Sequence, residues 1–299
     1  MQLGFVSAIL SDFSLDDVFS FASDEGFACV EVMCWPPGAA ERRYAGVTHI
    51  DITNLNEALV GKVLGLVDRT GVRISGLGYY PNPLHPEPEH RHRVLEHLRT
   101  VIQAAPRLGV DVVNTFIGRD WRKSVPENWQ VFDGVWPPLA LFAHGLGVKI
   151  GIENCPMLFS LDEWPGGANL ASTPAIWNVL FEKAPTLGLN FDPSHLIWQH
   201  VDVGRAIREF GKRFVHVHAK DTRLDRDSIY QHGVTGLGWH TPKIPGLGDV
   251  NWSAFFSALT DTGYHGAVCI EVEDRAFEGS LAMRIRSLRQ SKRFLEQFM

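Results

Sequence analysis

Residues 145–155 read GLGVKIGIENC, and this short stretch holds the pattern that decides the fold. A helix-like segment ends at Gly147, an apolar β-branched run follows at once, and the run closes on a carboxylate, Glu153. Gly suits the break because the left-handed conformation that ends a helix costs it no Cβ clash. The same unit recurs outward in both directions: DEG ending at Gly26 before FACVEVM, RTG ending at Gly71 before VRISGLGYY, RLG ending at Gly109 before VDVVNTFIG, and DTG ending at Gly263 before YHGAVCIEV. TLG at Gly188 leads into LNFD, and the basic GKR ending at Arg213 leads into FVHVHAKD.

With the opening LGFVSAI, these breaks predict eight strands near 2–8, 28–33, 73–79, 111–117, 148–154, 187–192, 214–219 and 267–272. Helices are expected between them, the first started by Ser14 with Asp16 and Asp17 favouring its positive end. Others are expected over 54–69, 89–108, 127–146, 173–183, 202–212 and 252–262, with a closing helix at 279–297. Alternating strands and helices imply parallel pairing with right-handed crossovers. Eight such units predict an α/β (β/α)8 barrel spanning residues 1–299 as a single domain, with a doubly wound open sheet as the alternative. The absence of G-x-G-x-x-G after the first strand argues against dinucleotide binding.

The 299 residues and 45% hydrophobic content suit one large soluble barrel. A net charge of −6 argues against nucleic acid as a partner, which calls for a basic surface. Cys29, Cys34, Cys155 and Cys269 form no C-x-x-C pair and read as free thiols of a reducing compartment. The N-terminus lacks the basic region of a signal peptide, and no apolar run approaches the roughly 20 residues of a membrane span, so a cytoplasmic location with no membrane partner is expected. Long loops follow the third, fifth and seventh strands, at the rim where barrel enzymes keep their chemistry.

The fifth to eighth strands end KIGIE153, LNFD192, VHVH218 and VCIE271. Side chains alternate along a strand, so Ile152, Phe191, Val217 and Ile270 are assigned to the helix layer. Glu153, Asp192, His218 and Glu271 then converge on the barrel mouth, above Gly151, Asn190, His216 and Cys269. Three bare carboxylates would repel one another there. One divalent ion (Mn²⁺, Mg²⁺, Co²⁺ or Zn²⁺) resolves the repulsion. His195, three residues after Asp192, is a candidate substrate contact, and Lys220 and Arg223 are candidates to bind a hydroxyl or phosphate. Trp35, Tyr80, Trp164 and Trp239 are candidate aromatic walls for a sugar ring, while His216 is expected below the ligands as a hydrogen-bonded support.

The stretches IENCPM, FDPSHL, HVHAKDTR and KIPGLGDVNWSAFFSALTDTGYHGAVCIEVED resemble the xylose isomerase-like barrel superfamily of sugar isomerases, epimerases and inosose dehydratase-type enzymes. The resemblance covers nearly the whole chain. It implies that Glu153, Asp192, His218 and Glu271 bind the metal and that Glu153 and Glu271 exchange the substrate proton through a metal-stabilised enediolate. It implies a small sugar, sugar phosphate or cyclitol as substrate, His195 as a substrate contact, and pairing into a homodimer. The chain departs from the ketose 3-epimerase branch shortly after the strand-five ligand, where that branch carries another substrate-binding Glu and this chain has Phe159, with Asp162 and Glu163 beyond, and at Arg223, where the basic residue is displaced. Dehydration of a cyclitol shares the early steps and stays open as an alternative. Two other readings are an apurinic endonuclease-like nuclease and a non-catalytic sugar-binding protein. The nuclease needs further His and Glu ligands where this chain offers Glu31, Tyr79, Tyr80, Asn114 and Thr115.

Overall fold

The computed structural model describes residues 1–38, 46–158, 167–234 and 236–299. Eight parallel strands close a barrel whose order around the ring follows the chain. They are β1 (Gln2–Val6), β2 (Cys29–Met33), β3 (Arg73–Gly78), β4 (Val112–Thr115), β5 (Lys149–Glu153), β6 (Gly188–Phe191), β7 (Phe214–Ala219) and, after a two-stranded insertion, β10 (Ala267–Ile270). Closure is made by β10 pairing with β1, with Gln2 opposite Ala267 and Phe5 opposite Ile270. The insertion is an antiparallel ribbon, β8 (Asp221–Leu224) with β9 (His240–Lys243), inside the long loop after β7.

The helices form where the glycine breaks and caps place them. Ser14 and Asp17 build a reciprocal capping box at the start of α1 (Leu15–Asp24). α2 (Glu57–Thr70) stops at Gly71 with φ 68°, and Gly147, with φ 73°, follows α4 (Val125–Gly145) in the same way. α3 (Pro88–Arg107), α5 (Pro174–Lys183), α7 (Val203–Phe210), α9 (Trp252–Asp261) and α10 (Leu281–Leu295) complete the outer layer. Two short helices were not expected: α6 (Ser194–Ile197) and α8 (Arg226–His232). The first is four residues long, and the second buries no residue, so neither carries an apolar period to read. Among the described residues, no helix is long and apolar enough to cross a membrane.

Strand parity divides the interior. Ile152, Phe191, Val217 and Ile270 are fully buried in the large core between strands and helices. Phe191 stacks on Phe214 at 4.4 Å and meets Trp177 of α5 and Phe255 of α9. Burying such a ring contributes roughly 1.5–3 kcal/mol, and it commits the next residue, Asp192, to the opposite face. A smaller cluster containing Met33, Tyr80, Phe116 and Cys269 fills the inside of the barrel beneath its mouth. Crowding there is met by glycine: a Cβ on Gly4 would lie 2.4 Å from the Cys29 carbonyl oxygen.

Candidate metal centre and active site

β6 and β10 end one residue earlier than the chemistry they carry, so Asp192 and Glu271 sit just past the last ladder residue. Asp192 is held there by Asn154. Its backbone N–H donates to Asn154 Oδ1 at 2.7 Å, and Asn154 Nδ2 donates back to the Asp192 carbonyl at 2.8 Å. This reciprocal latch ties the end of β5 to the end of β6. Asp192 Oδ1 accepts from the Ser194 N–H at 2.8 Å, which leaves Oδ2 facing the mouth.

Glu153, Asp192, His218 and Glu271 each offer a ligand atom, and these atoms lie within 4.8 Å of one another. His218 Nδ1 is 3.4 Å from Glu271 and 3.9 Å from Glu153. Asp192 Oδ2 and His218 Nδ1 are buried and make no hydrogen bond. Their neighbours are charged or ionisable groups of the same site: Lys220 and His195 for Asp192 Oδ2, Glu271 and Glu153 for His218 Nδ1. A divalent cation fits this set of three carboxylates and one imidazole.

Lys220 is 3% exposed, and its Nζ lies 2.7 Å from Glu271, 3.1 Å from Glu273 and 3.1 Å from Asp192. The carboxylate pair is thereby split. Burial, and then the neighbouring Glu271 charge, push the Glu153 carboxyl up. Burial also opposes charge on Glu271, but Lys220 and His218 outweigh it and hold that carboxyl well below the usual range. His195 stands between Glu153 and Asp192, its Nε2 3.3 Å from each. Trp198, one turn on, donates its indole N–H to His195 Nδ1 at 3.3 Å, so the ring's proton is left on Nε2, facing the carboxylates.

A cavity of about 260 Å³ opens above these groups. One wall is apolar, with Ile9, Trp35, Phe116 and Met157; the other carries His195, Trp198, Lys220 and His240. Trp198 and His240 stack at 4.5 Å, and His240 brings the ribbon over the rim. Asp221 fastens that long loop. It accepts from the N–H groups of Thr222, Gly246 and Val250 and from the Trp252 indole.

The structure therefore brings together Glu153, Asp192, His195, His218, Lys220 and Glu271, with Trp35 on the cavity wall. Two expectations, for Arg223 and Trp239, need correction. Arg223 does not reach the cavity: alternation along β8 buries Thr222 and leaves Arg223 exposed to solvent. Tyr80 does line the cavity with its ring, while its hydroxyl turns into the barrel and donates to Glu31. Trp239 is buried against Trp198 and His200 and is not among the residues lining the cavity. Phe159, Asp162, Glu163 and Trp164 lie outside the described residues.

His216 sits beneath the ligands as expected, between Asn190 Oδ1 at 2.9 Å and Ser75 Oγ at 3.0 Å. Burial pushes its imidazole down to about 4, so it is neutral at neutral pH. Sequence reasoning placed Asn190 beneath the candidate ligands, missed Asn154 and Glu273, and read Glu31 only as an isolated ligand. Asn154 and Glu273 lie within two residues of a ligand, and that adjacency was the only available signal. Glu31 forms a second cluster with His216 and His218. Among the described residues, the ends of β3 and β4 add Tyr80, Asn114 and Thr115 rather than the further His and Glu ligands a nuclease centre needs.

A closed eight-stranded barrel with carboxylates and a histidine converging on its C-terminal rim has the layout of the barrel enzymes. The sequence profile of the xylose isomerase-like TIM barrel family matches residues 19–298, and the chain belongs to that family. It is 26% identical to the uncharacterized protein YfiH of Bacillus subtilis, over 97% of this chain and 99% of that protein. It is 29% identical to an inosose dehydratase of Clostridium tetani, over 52% of this chain and 54% of that protein. The D-psicose 3-epimerase of Clostridium cellulolyticum H10 superposes with a TM-score of 0.71 at 15% identity, covering 99% of each chain.

Proposed function

We propose that the protein is a divalent-metal-dependent isomerase or epimerase of a small sugar, sugar phosphate or cyclitol. The observation that carries this reading is the convergence of Glu153, Asp192, His218 and Glu271 within 4.8 Å, with Glu153 and Glu271 lining the cavity. When bound, the cation supplies Lewis-acid polarisation of a carbonyl and its neighbouring hydroxyl, which acidifies the C–H bond between them.

The chain's own residues then do the proton work. Glu271, held ionised beside Lys220 and His218, is present as the carboxylate that an acceptor of the carbon-bound proton must be. Glu153, whose carboxyl is pushed up by burial, is suited to return one from the other face. Return to the same carbon inverts it; return to the neighbouring carbon gives aldose–ketose isomerisation. His195, with its proton on Nε2, can hold a substrate oxygen beside Glu153, and Trp35 and Phe116 offer apolar surface to the ring's C–H face. Loss of a β-hydroxyl after the same first step is the second reading, favoured by the match to an inosose dehydratase.

The test is a screen of ketoses, inososes and their phosphates in D₂O with added Mn²⁺, followed by mass spectrometry. An epimerase or isomerase incorporates deuterium at one carbon with no change of formula; a hydro-lyase gives a product lighter by one water. Glu271→Gln is expected to keep its fold by circular dichroism and lose exchange. Exchange at the parent rate in that variant would remove Glu271 from its role, and wild-type protein that exchanges none of these substrates would defeat the proposal.

A further inference from the structure

Glu31 is a fully buried carboxylate inside the barrel, outside both the four-ligand cluster and the lining of the cavity. Burying a charge is expensive unless it is paired, so its partners indicate what it does. Glu31 Oε2 lies 2.7 Å from His218 Nε2, across 187 residues of sequence, and Oε1 accepts the Tyr80 hydroxyl proton. Gly78 makes the approach possible, since a Cβ there would stand 2.7 Å from Glu31 Oε1.

We propose that Glu31 is the positioning residue of the metal centre: it takes the Nε2 proton of His218 as a hydrogen bond and so presents Nδ1, unprotonated, to the site. The inference rests on the metal-site reading above. An imidazole can ligate through Nδ1 only if its proton resides on Nε2, and the acceptor opposite Nε2 decides this. Asn190 Nδ2 is also 3.0 Å from His218 Nε2, and donation from it would force the opposite tautomer. That amide nitrogen has the Tyr80 hydroxyl at 3.0 Å as an acceptor, while a carboxylate can only accept. The carboxylate therefore sets the tautomer. His218 Nδ1 then faces the carboxylates of Glu271 at 3.4 Å and Glu153 at 3.9 Å, inside the four-ligand cluster. The Tyr80 hydroxyl joins Glu31 to Asn190 and so braces the arrangement.

The experiment uses chelator-stripped wild-type protein and Glu31→Gln, titrated with Co²⁺ at neutral pH. Three quantities are read: affinity by competition with a fluorescent chelator, the visible ligand-field spectrum, and the melting temperature of the metal-free protein. Glu31→Gln is expected to weaken Co²⁺ binding by about 10–100-fold and to shift the visible band, with Glu31→Asp recovering part of the affinity. Glu31→Gln that binds Co²⁺ with parent affinity and an unchanged spectrum overturns the inference while leaving the site intact. Wild-type protein that takes up no Co²⁺ overturns the site reading and this inference with it. Should Glu31→Gln fail to fold, Tyr80→Phe, which removes one bond to Glu31, is read in the same way: weaker binding supports the role and parent affinity refutes it.

Discussion

Replacing Lys220 by Met tests the electrostatic design of the site directly. The methionine stem fills much the same space, but the ammonium that stands within 3.1 Å of Asp192, Glu271 and Glu273 is lost. Removing one partner of a buried ion pair leaves uncompensated charge and costs about 3–5 kcal/mol. The cost depends on pH in a defined direction. Lys220 helps hold the folded-state carboxyl of Glu271 below its unfolded value, so this stabilisation is present above the ordinary carboxylate range and is lost as pH falls through the folded value. The gap between parent and variant is therefore full at pH 7 and closes only below about pH 4, where unfolded carboxylates begin to protonate. The assay is urea unfolding with a chelator present, at pH 7 and again at pH 3. A saturating divalent cation at pH 7 supplies the missing positive charge and is expected to stabilise the variant more than the parent. A gap under about 1 kcal/mol at pH 7, or one unchanged at pH 3, would refute the reasoning, because breaking a buried pair is expected to cost more and to depend on ionisation.

Three further outcomes are expected. Gly4→Ala forces a Cβ against the Cys29 carbonyl oxygen at 2.4 Å and is expected to cost about 1–3 kcal/mol in urea unfolding; parent stability would mean that β1 and β2 separate freely. His216 must stay neutral when buried, its imidazole pushed from 6.5 to about 4, so its contribution is complete above pH 6.5 and lost as pH falls to 4. The stability deficit of His216→Gln relative to the parent should thus shrink by up to about 3 kcal/mol across that window, and a constant deficit would show that His216 is not the group titrating. Arg223→Ala should leave stability within about 0.5 kcal/mol and substrate affinity unchanged, since Arg223 is exposed on β8. A large loss of affinity would return it to the site.

The barrel was legible in the sequence because its determinants are local and repeated. A glycine at a left-handed helix end and a β-branched run alternating in one register act within about ten residues, and eight repeats leave few topologies. The candidate ligand set was legible for the same reason: in each of four consecutive strands one parity is apolar and the other ends in Glu, Asp or His. The ribbon β8–β9 and helix α8 carry no such period. Asp221 and the stacking of Trp198 on His240 hold that loop over the rim, and both arise from distant contacts.

The sequence by itself determined the barrel and the convergence of the candidate residues Glu153, Asp192, His218 and Glu271 on one rim, since alternation along a strand follows from backbone geometry. Only the tertiary structure decided what surrounds them. Residues distant in the chain become neighbours through barrel closure, which brings Glu31 of β2 to His218 of β7, places Lys220 among three carboxylates and turns the Tyr80 hydroxyl inward. It also separated Thr222 from Arg223, because that stretch became a ribbon with its own two faces. Charge balance and proton placement depend on distances of about 3 Å across the closed barrel, and no spacing along the chain encodes them.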